Sequence, residues 1–145
     1  MSTPRADLLE AFNRTIYRVH LPGHALDLRI GSRHPPLDAF LRAIGARHWI
    51  VFSPCNPGAR LLDPTTNAAR MAVLRRDLDS EGLRHFPAEG LPPEGEDWPP
   101  EPSLLILDAP QRQTARWAHR FGQLAWVAGG LGQPAELVWS SLPKV

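Results

Sequence analysis

The sequence predicts an α/β (α+β) fold in a single domain, with one mixed β-sheet of about five to seven strands packed against three to four helices. Two nearly unbroken apolar runs, His48–Phe52 and Ser103–Leu107, are typical of strands covered on both faces. Several other segments space their apolar residues as amphipathic helices do. Helices that alternate with buried strands form a two- or three-layer sandwich around one sheet. The length of 145 residues suits one such domain, so residues 1–145 are expected to fold together.

The first third of the chain predicts a helix, a hairpin and a second helix. Apolar residues share one face of a helix over residues 4–12, and alternating strands follow at residues 15–19 and 26–30. A Pro-Gly pair lies between the two strands and is typical of a turn, which makes them a hairpin. Residues 37–44 space four apolar side chains on one helical face, and Gly45 follows as a C-terminal stop.

The second half of the chain predicts two further helices and two closing strands. A long helix is expected from Pro64 to about Ser80, because proline favours the first helical position. A last helix follows Pro110. The closing strands are predicted at Gln123–Ala128 and Glu136–Trp139.

The segment Phe86–Pro102 concentrates proline and acidic residues. It contains six prolines and five acidic residues, with no Lys or Arg. Because proline lacks a backbone donor, we expect neither a helix nor a central strand here. We interpret the segment as a long loop within the domain, and such loops are usually functional or mobile. A linker between two domains is the alternative, although neither flank is complete enough to fold alone.

The composition excludes several classes of protein. Hydrophobic residues make up 43% and charged residues 21% of the chain, which is typical of a soluble domain. No apolar run reaches the roughly 18 residues of a membrane span, so we expect a cytoplasmic protein without a membrane partner. The net charge of +1 argues against a nucleic-acid partner, and we interpret the arginine stripe on the last helix as a solvated face. The histidines lack metal-ligand spacing, so we expect no metal and no cofactor.

The stretch Ser53–Gly58 is the most unusual in the sequence. It follows the most apolar predicted strand, where open α/β sheets tend to place ligands. Two prolines stiffen the turn, while Ser53, Cys55 and Asn56 offer a hydroxyl, a thiol and an amide. The alternative is a turn that only caps the strand, because Ser-Pro and Asn-Pro commonly begin turns.

Two polar residues on the long helix extend this candidate site. Asn67 lies on the same helical stripe as Met71 and Leu74, so its side chain must find partners inside the core. We favour the interpretation that Asn67 braces the preceding loop. Arg70, one turn later, could pair with a loop carboxylate or with a bound anion.

The acidic segment and a later glutamine supply the other candidates. Glu89 and Glu101 flank Trp98, and two carboxylates beside an aromatic wall could act as general acid and base. The carboxylates could equally form ion pairs with arginines and hold the loop, which we consider the stronger interpretation. Gln123 begins a closing strand and is expected to point into the same region, or to bond neighbouring backbone.

Several spaced motifs make the chain similar to a known family. The chain resembles a bacterial family of small cytosolic proteins, known as the domain of unknown function DUF3293, over about Thr15 to Val138. The family has no established activity, so the resemblance supports the fold and the position of the site but implies no reaction. This chain has Ser53-Pro54 where family members typically have Thr-Ala. The motifs that carry the resemblance are Ser53–Gly58, Asn67–Arg70, Pro87–Gly90, Trp98–Ser103 and Phe121–Ala125.

Three functional hypotheses follow from these residues. The first is a binding module whose pocket holds a small polar or anionic ligand, with the acidic loop as a lid. The second is a hydrolase-type enzyme in the same pocket, with Glu89 or Glu101 as acid or base; the sequence does not decide whether the protein is an enzyme. The third is an interaction domain whose acidic Pro-rich loop docks a basic partner. The candidate ligand-binding residues are Ser53, Cys55, Asn56, Asn67, Arg70, Glu89, Trp98, Glu101 and Gln123.

Overall fold

A computed structural model describes residues 4–140 and contains one seven-stranded sheet with helices on both faces. The predicted α/β class is confirmed, with seven strands and four α-helices in the described residues. The helices are α1 (Pro4–Arg14), α2 (Pro35–Ile44), α3 (Pro64–Ser80) and α4 (Gln111–Phe121), with a short 3-10 turn at Pro57–Ala59. The strands are β1 (Ile16–Leu21), β2 (His24–Leu28), β3 (His48–Phe52), β4 (His85–Leu91), β5 (Glu101–Leu107), β6 (Ala125–Gly130) and β7 (Glu136–Trp139).

The strand order is β2-β1-β4-β5-β3-β6-β7, and every neighbouring pair is antiparallel. We expected a mixed sheet, because helices between strands usually connect parallel neighbours. The crossovers do connect parallel strands here, but each one skips at least one position in the sheet. Helix α3 leads from β3 to β4 across β5, and α4 leads from β5 to β6 across β3. The strand that fills each gap runs the opposite way, so no parallel pair is in contact.

Strand β4 lies inside the segment that the sequence predicted as loop. Residues 86–91 belong to β4 and residues 101–102 to β5, so the acidic loop is shorter than predicted and spans residues 92–100. Pro87 of β4 and Pro102 of β5 are tolerated because each lies beyond the end of one of the two ladders that its strand forms. The β1 ladder ends at the Val19–Ala88 pair, next to Pro87, and the β3 ladder ends at the Phe52–Leu104 pair, short of Pro102. Each proline therefore pairs with only one neighbouring strand.

The two faces of the sheet carry separate cores. Helix α2 packs Leu37 and Leu41 against the first face, and Phe12 of α1 joins the same core. The second face is covered by α3 and α4, which bury a cluster of leucine and aromatic side chains. The molecule is therefore a three-layer sandwich. Among the described residues, none of the helices has both the length and the apolar composition needed to cross a membrane.

Candidate functional site

A cavity opens on the first face of the sheet, between α1, the acidic loop and six of the strands. Its volume is about 380 Å³, within the range of small-molecule sites. Alternation along β5 turns Glu101 and Ser103 toward this face, together with the buried Leu105. Most of the wall is apolar, and its large apolar side chains are Leu8, Phe12, Val51, Trp98, Val127 and Leu137.

Glu101 places a carboxyl group on the cavity wall. Its Oε1 accepts a hydrogen bond of 2.8 Å from Asn56 Nδ2. Burial raises the pKa of Glu101, and hydrogen bonding by Asn56 and Ser53 opposes this rise without cancelling it. The site therefore combines an acidic group with apolar surroundings. Either a proton or a positively charged partner would stabilise the Glu101 carboxyl group there.

Asn56 connects this carboxyl group to the β3–α3 loop, residues 53–63. Its backbone is left-handed, with a φ of 52°, a conformation that asparagine adopts more readily than most residues. Its Oδ1 accepts hydrogen bonds from the Leu62 amide at 2.9 Å and from Asn67 Nδ2 at 2.8 Å. With the oxygen facing the loop, the amide nitrogen faces Glu101. One side chain thus closes the loop and orients the carboxyl group.

Asn67 lies behind the cavity and does not contribute to its lining. The residue is 7% exposed. Its Oδ1 accepts a hydrogen bond from the Asn56 amide at 3.1 Å, and its Nδ2 also lies 3.4 Å from the Leu62 carbonyl. These contacts match the interpretation that Asn67 braces the loop.

Arg70 also supports the loop from behind the cavity. Its Nε donates to the Pro54 carbonyl at 2.6 Å, and its Nη2 donates to the Phe121 carbonyl. The Phe121 carbonyl belongs to the last residue of α4, where a positive charge is favourable. Arg70 therefore binds main-chain oxygens, whereas we expected a loop carboxylate or an anion. It joins the β3–α3 loop to the end of α4.

Cys55 and Gln123 complete this supporting network. The Cys55 thiol is fully buried, 3.8 Å from the Asn67 carbonyl, and burial raises its pKa to about 11. A thiol in this state is a poor nucleophile at neutral pH. Gln123 Nε2 donates to the Cys55 carbonyl at 2.8 Å, and the same residue contributes to the cavity wall.

Glu89 lies on the opposite face of the sheet from Glu101. Gly90 is the β4 residue that pairs with Glu101, so the adjacent Glu89 projects the other way. Its Oε2 lies 2.8 Å from Nε2 of His20 on β1. The two glutamates that the sequence suggested as an acid–base pair therefore do not face one another. Five of the nine candidate residues line the cavity: Ser53, Asn56, Trp98, Glu101 and Gln123.

The sequence interpretation did not identify the α1 and β1 side of the cavity. Tyr17 of β1 faces the cavity, and its hydroxyl donates to the Phe12 carbonyl at 3.4 Å. Burial raises the pKa of Tyr17, opposed by hydrogen bonding with Thr15, so the hydroxyl stays protonated. The only sequence signal is the apolar face predicted for residues 4–12, on which Leu8 and Phe12 lie one turn apart. Glu96 of the acidic loop also lines the cavity.

The fold and the site define a class: a small α/β protein with a seven-stranded antiparallel sheet and a cavity on one face of that sheet. The chain belongs to the DUF3293 family, described as proteins of unknown function, whose model matches residues 52–126, just over half of the chain. The predicted resemblance is thus confirmed, over a shorter stretch than we expected. All nine candidate residues lie inside the matched segment, whereas α1 and β1 lie outside it. No curated protein and no solved structure matches the chain.

Proposed function

We propose that this protein is a binding module for a small molecule and that the cavity is its binding site. The observation that carries the proposal is the carboxyl group of Glu101, held by Asn56 on the wall of an otherwise mainly apolar cavity of about 380 Å³. A few oriented polar groups in an apolar pocket are typical of small-molecule sites.

The energetic cost of Glu101 supports a functional role. Burial of a carboxylate without a charged partner destabilises the folded state, and its raised pKa reflects this cost. A glutamine would keep the hydrogen bond from Asn56 without carrying a charge. Acidic groups whose pKa is raised inside a cleft are candidates for functional residues, because ligand binding or catalysis can compensate for the cost of their burial.

The other hypotheses receive less support from the contacts. An acid–base pair of Glu89 and Glu101 would need both side chains on one face, and Glu89 instead contacts His20. A docking strip would need a free acidic loop, whereas Pro92, Pro93 and Trp98 of that loop form part of the cavity wall. The hydrolase and the interaction domain therefore rank below the binding module. A cytoplasmic location stays a prediction from the sequence.

A thermal-shift screen against a metabolite library tests the proposal, because a ligand of the native state raises the melting temperature. The test variant is Gly90→Val: an added Cβ would lie 3.8 Å from Thr15 Cγ2 and 4.0 Å from Glu101 Cβ, so it fits, and the larger side chain occupies cavity space. The control is Ala25→Val on the exposed side of β2. We expect hits with the wild type and the control that are lost in Gly90→Val. Hits unaffected by Gly90→Val, or no hits at all, would contradict the proposal.

A further inference from the structure

We propose that the ligand is an organic cation, a protonated amine on an aromatic or apolar body, with its ammonium group next to Glu101. This inference rests on the proposed binding function and specifies the chemical class of the ligand. It departs from the sequence-based expectation of a polar or anionic ligand, for reasons of charge, hydrogen bonding and wall composition.

The charges around the cavity favour a cation. Among residues 7–140, whose side chains the structure describes, the charged side chains that line it are Glu96 and Glu101, and no Lys, Arg or His contributes to the lining. Glu96 lies at the rim, 3.8 Å from Arg14 Nη1, and both side chains are about half exposed. Glu101 is deeper and has only neutral hydrogen-bond partners. An anionic ligand would add repulsion to a buried carboxylate, whereas an ammonium group would neutralise it.

Arg70, the arginine that supports the β3–α3 loop, already has other partners. Arg70 donates to the Pro54 and Phe121 carbonyls and stacks over the Phe121 ring, with 5.6 Å between the guanidinium carbon and the ring centroid. It holds the back of the loop that carries Asn56. The positive charge that would balance Glu101 is therefore not supplied by this arginine, and a ligand can supply it.

Glu101 retains the hydrogen-bonding capacity that an ammonium group needs. An ionised carboxylate offers about four acceptor positions, and Asn56 Nδ2 occupies one of them on Oε1. The Ser53 hydroxyl lies beside the carboxyl group and donates a hydrogen bond of 2.8 Å to the Pro102 carbonyl. Because Asn56 is itself fixed by Leu62 and Asn67, the carboxyl group is held in one orientation before a ligand arrives.

The rest of the wall suits the body of an aromatic amine. The rings of Phe12, Tyr17 and Trp98 are on the side of the sheet that carries the cavity, and all three residues line it. Aromatic faces attract cations and also pack against apolar groups, so they can accept both the ammonium end and the hydrocarbon part of one ligand. Trp98 is 41% exposed and lies in the acidic loop, at the side where a ligand would enter.

The test compares three probes that share an indole ring but differ in charge: tryptamine, tryptophol and indole-3-acetate. Isothermal titration calorimetry at about pH 8, where tryptamine is still a cation, should show tryptamine binding about tenfold more tightly than tryptophol, with indole-3-acetate weakest. In Glu101→Gln, which keeps the acceptor for Asn56, the preference for tryptamine over tryptophol should be lost while tryptophol affinity is kept. Gly90→Val should weaken the binding of all three probes.

A second measurement follows the release of the Glu101 proton when the ligand binds. Because an ammonium group stabilises the ionised form, it lowers the pKa of Glu101, and binding near the titration range of Glu101 should release a proton from the wild type but not from Glu101→Gln. Titrations in two buffers of different ionisation enthalpy measure this release. Equal affinity for tryptamine and tryptophol in the wild type would overturn the cation inference while leaving the binding function standing. If none of the three probes binds, the inference fails; the binding function fails with it only if the metabolite screen also gives no hits sensitive to Gly90→Val.

Discussion

At Asn56 a left-handed backbone places one amide side chain between the β3–α3 loop and the Glu101 carboxyl group. The oxygen of this amide serves the loop and its nitrogen serves the cavity. Asparagine is suited to both tasks, since it tolerates a φ of 52° and carries a donor and an acceptor at one position. The Ser53–Gly58 motif stands out in the sequence for its prolines and polar side chains, but the hydrogen bond from Asn56 to Glu101, 45 residues away, could not be inferred from spacing.

Asn67→Ala should destabilise the protein by about 1–3 kcal/mol, because the Asn56 amide loses its acceptor and remains buried. Urea unfolding monitored by circular dichroism measures the change. Thr66→Ala, at the exposed neighbouring position on α3, should change stability by about 0.5 kcal/mol or less. An unchanged midpoint for Asn67→Ala would show that Asn67 does not brace the loop.

Glu101→Gln should gain stability relative to the wild type as the pH rises. The folded-state pKa of Glu101 is above its ordinary value, so the folded protein holds this proton more tightly than the unfolded chain does. Stability is therefore lost as the pH rises from that ordinary value through the raised folded pKa. Melting temperatures measured over about pH 4–8 cover this window. As the pH rises, the melting temperature of the glutamine variant should increase relative to that of the wild type.

The exposed loop glutamate Glu94 provides the matched charge control for that series. Glu94→Gln removes the same charge from the same part of the chain without entering the cavity lining. If the melting temperatures of Glu101→Gln and of the wild type differ by the same amount at every pH, burial does not raise the pKa of Glu101 in the folded protein.

Among the elements, two strand glycines that look equivalent in the sequence have different surroundings. Gly129 of β6 pairs with Trp49 of β3, and a Cβ on Gly129 would lie 2.5 Å from the indole ring. Trp49 is almost fully buried, so the ring has little room to move. Gly90 of β4 faces the cavity instead, where an added Cβ meets only ordinary contacts at 3.8–4.0 Å.

Gly129→Ala should therefore destabilise the protein by about 1–3 kcal/mol, through a clash in a packed part of the sheet. Gly90→Ala should leave stability unchanged or raise it by about 0.4–1 kcal/mol, through reduced freedom of the unfolded chain. Thermal and urea unfolding of the two variants in parallel provide the comparison. Similar destabilisation in both would mean that the space next to Gly90 is filled and that the cavity is smaller than described.

The elements also show which part of the fold the sequence could specify. Local patterns were sufficient for β3, α3 and β7, whose predicted bounds agree with the structure. They were insufficient for β4, because Pro87 disfavours a central strand unless the pairing on one side has ended. Whether a ladder continues past a proline depends on the neighbouring strand, which lies far away in the sequence.

Across the whole molecule, the antiparallel pairing and the cavity both result from strand order. Each helical crossover skips at least one strand, so the sheet contains no parallel contact in the described residues although its crossovers connect parallel strands. The same order brings β1, from the beginning of the chain, next to β4 and near the Glu101 end of β5. Residues near Asn56 could be identified as candidates from their chemistry. Phe12 and Tyr17 could not, because no local pattern separates a cavity wall from a core.

Chemical-shift mapping tests the central claim, that this cavity is a small-molecule site, most directly. Uniformly ¹⁵N-labelled protein is titrated with tryptamine or with the strongest hit of the metabolite screen, and side-chain and backbone N–H signals are followed. We predict the largest shifts at the Trp98 indole and at the Asn56 side-chain amide, with little change at His20 and Glu89 on the other face. Shifts centred on His20 and Glu89, or on the outer surfaces of α3 and α4, would contradict the account.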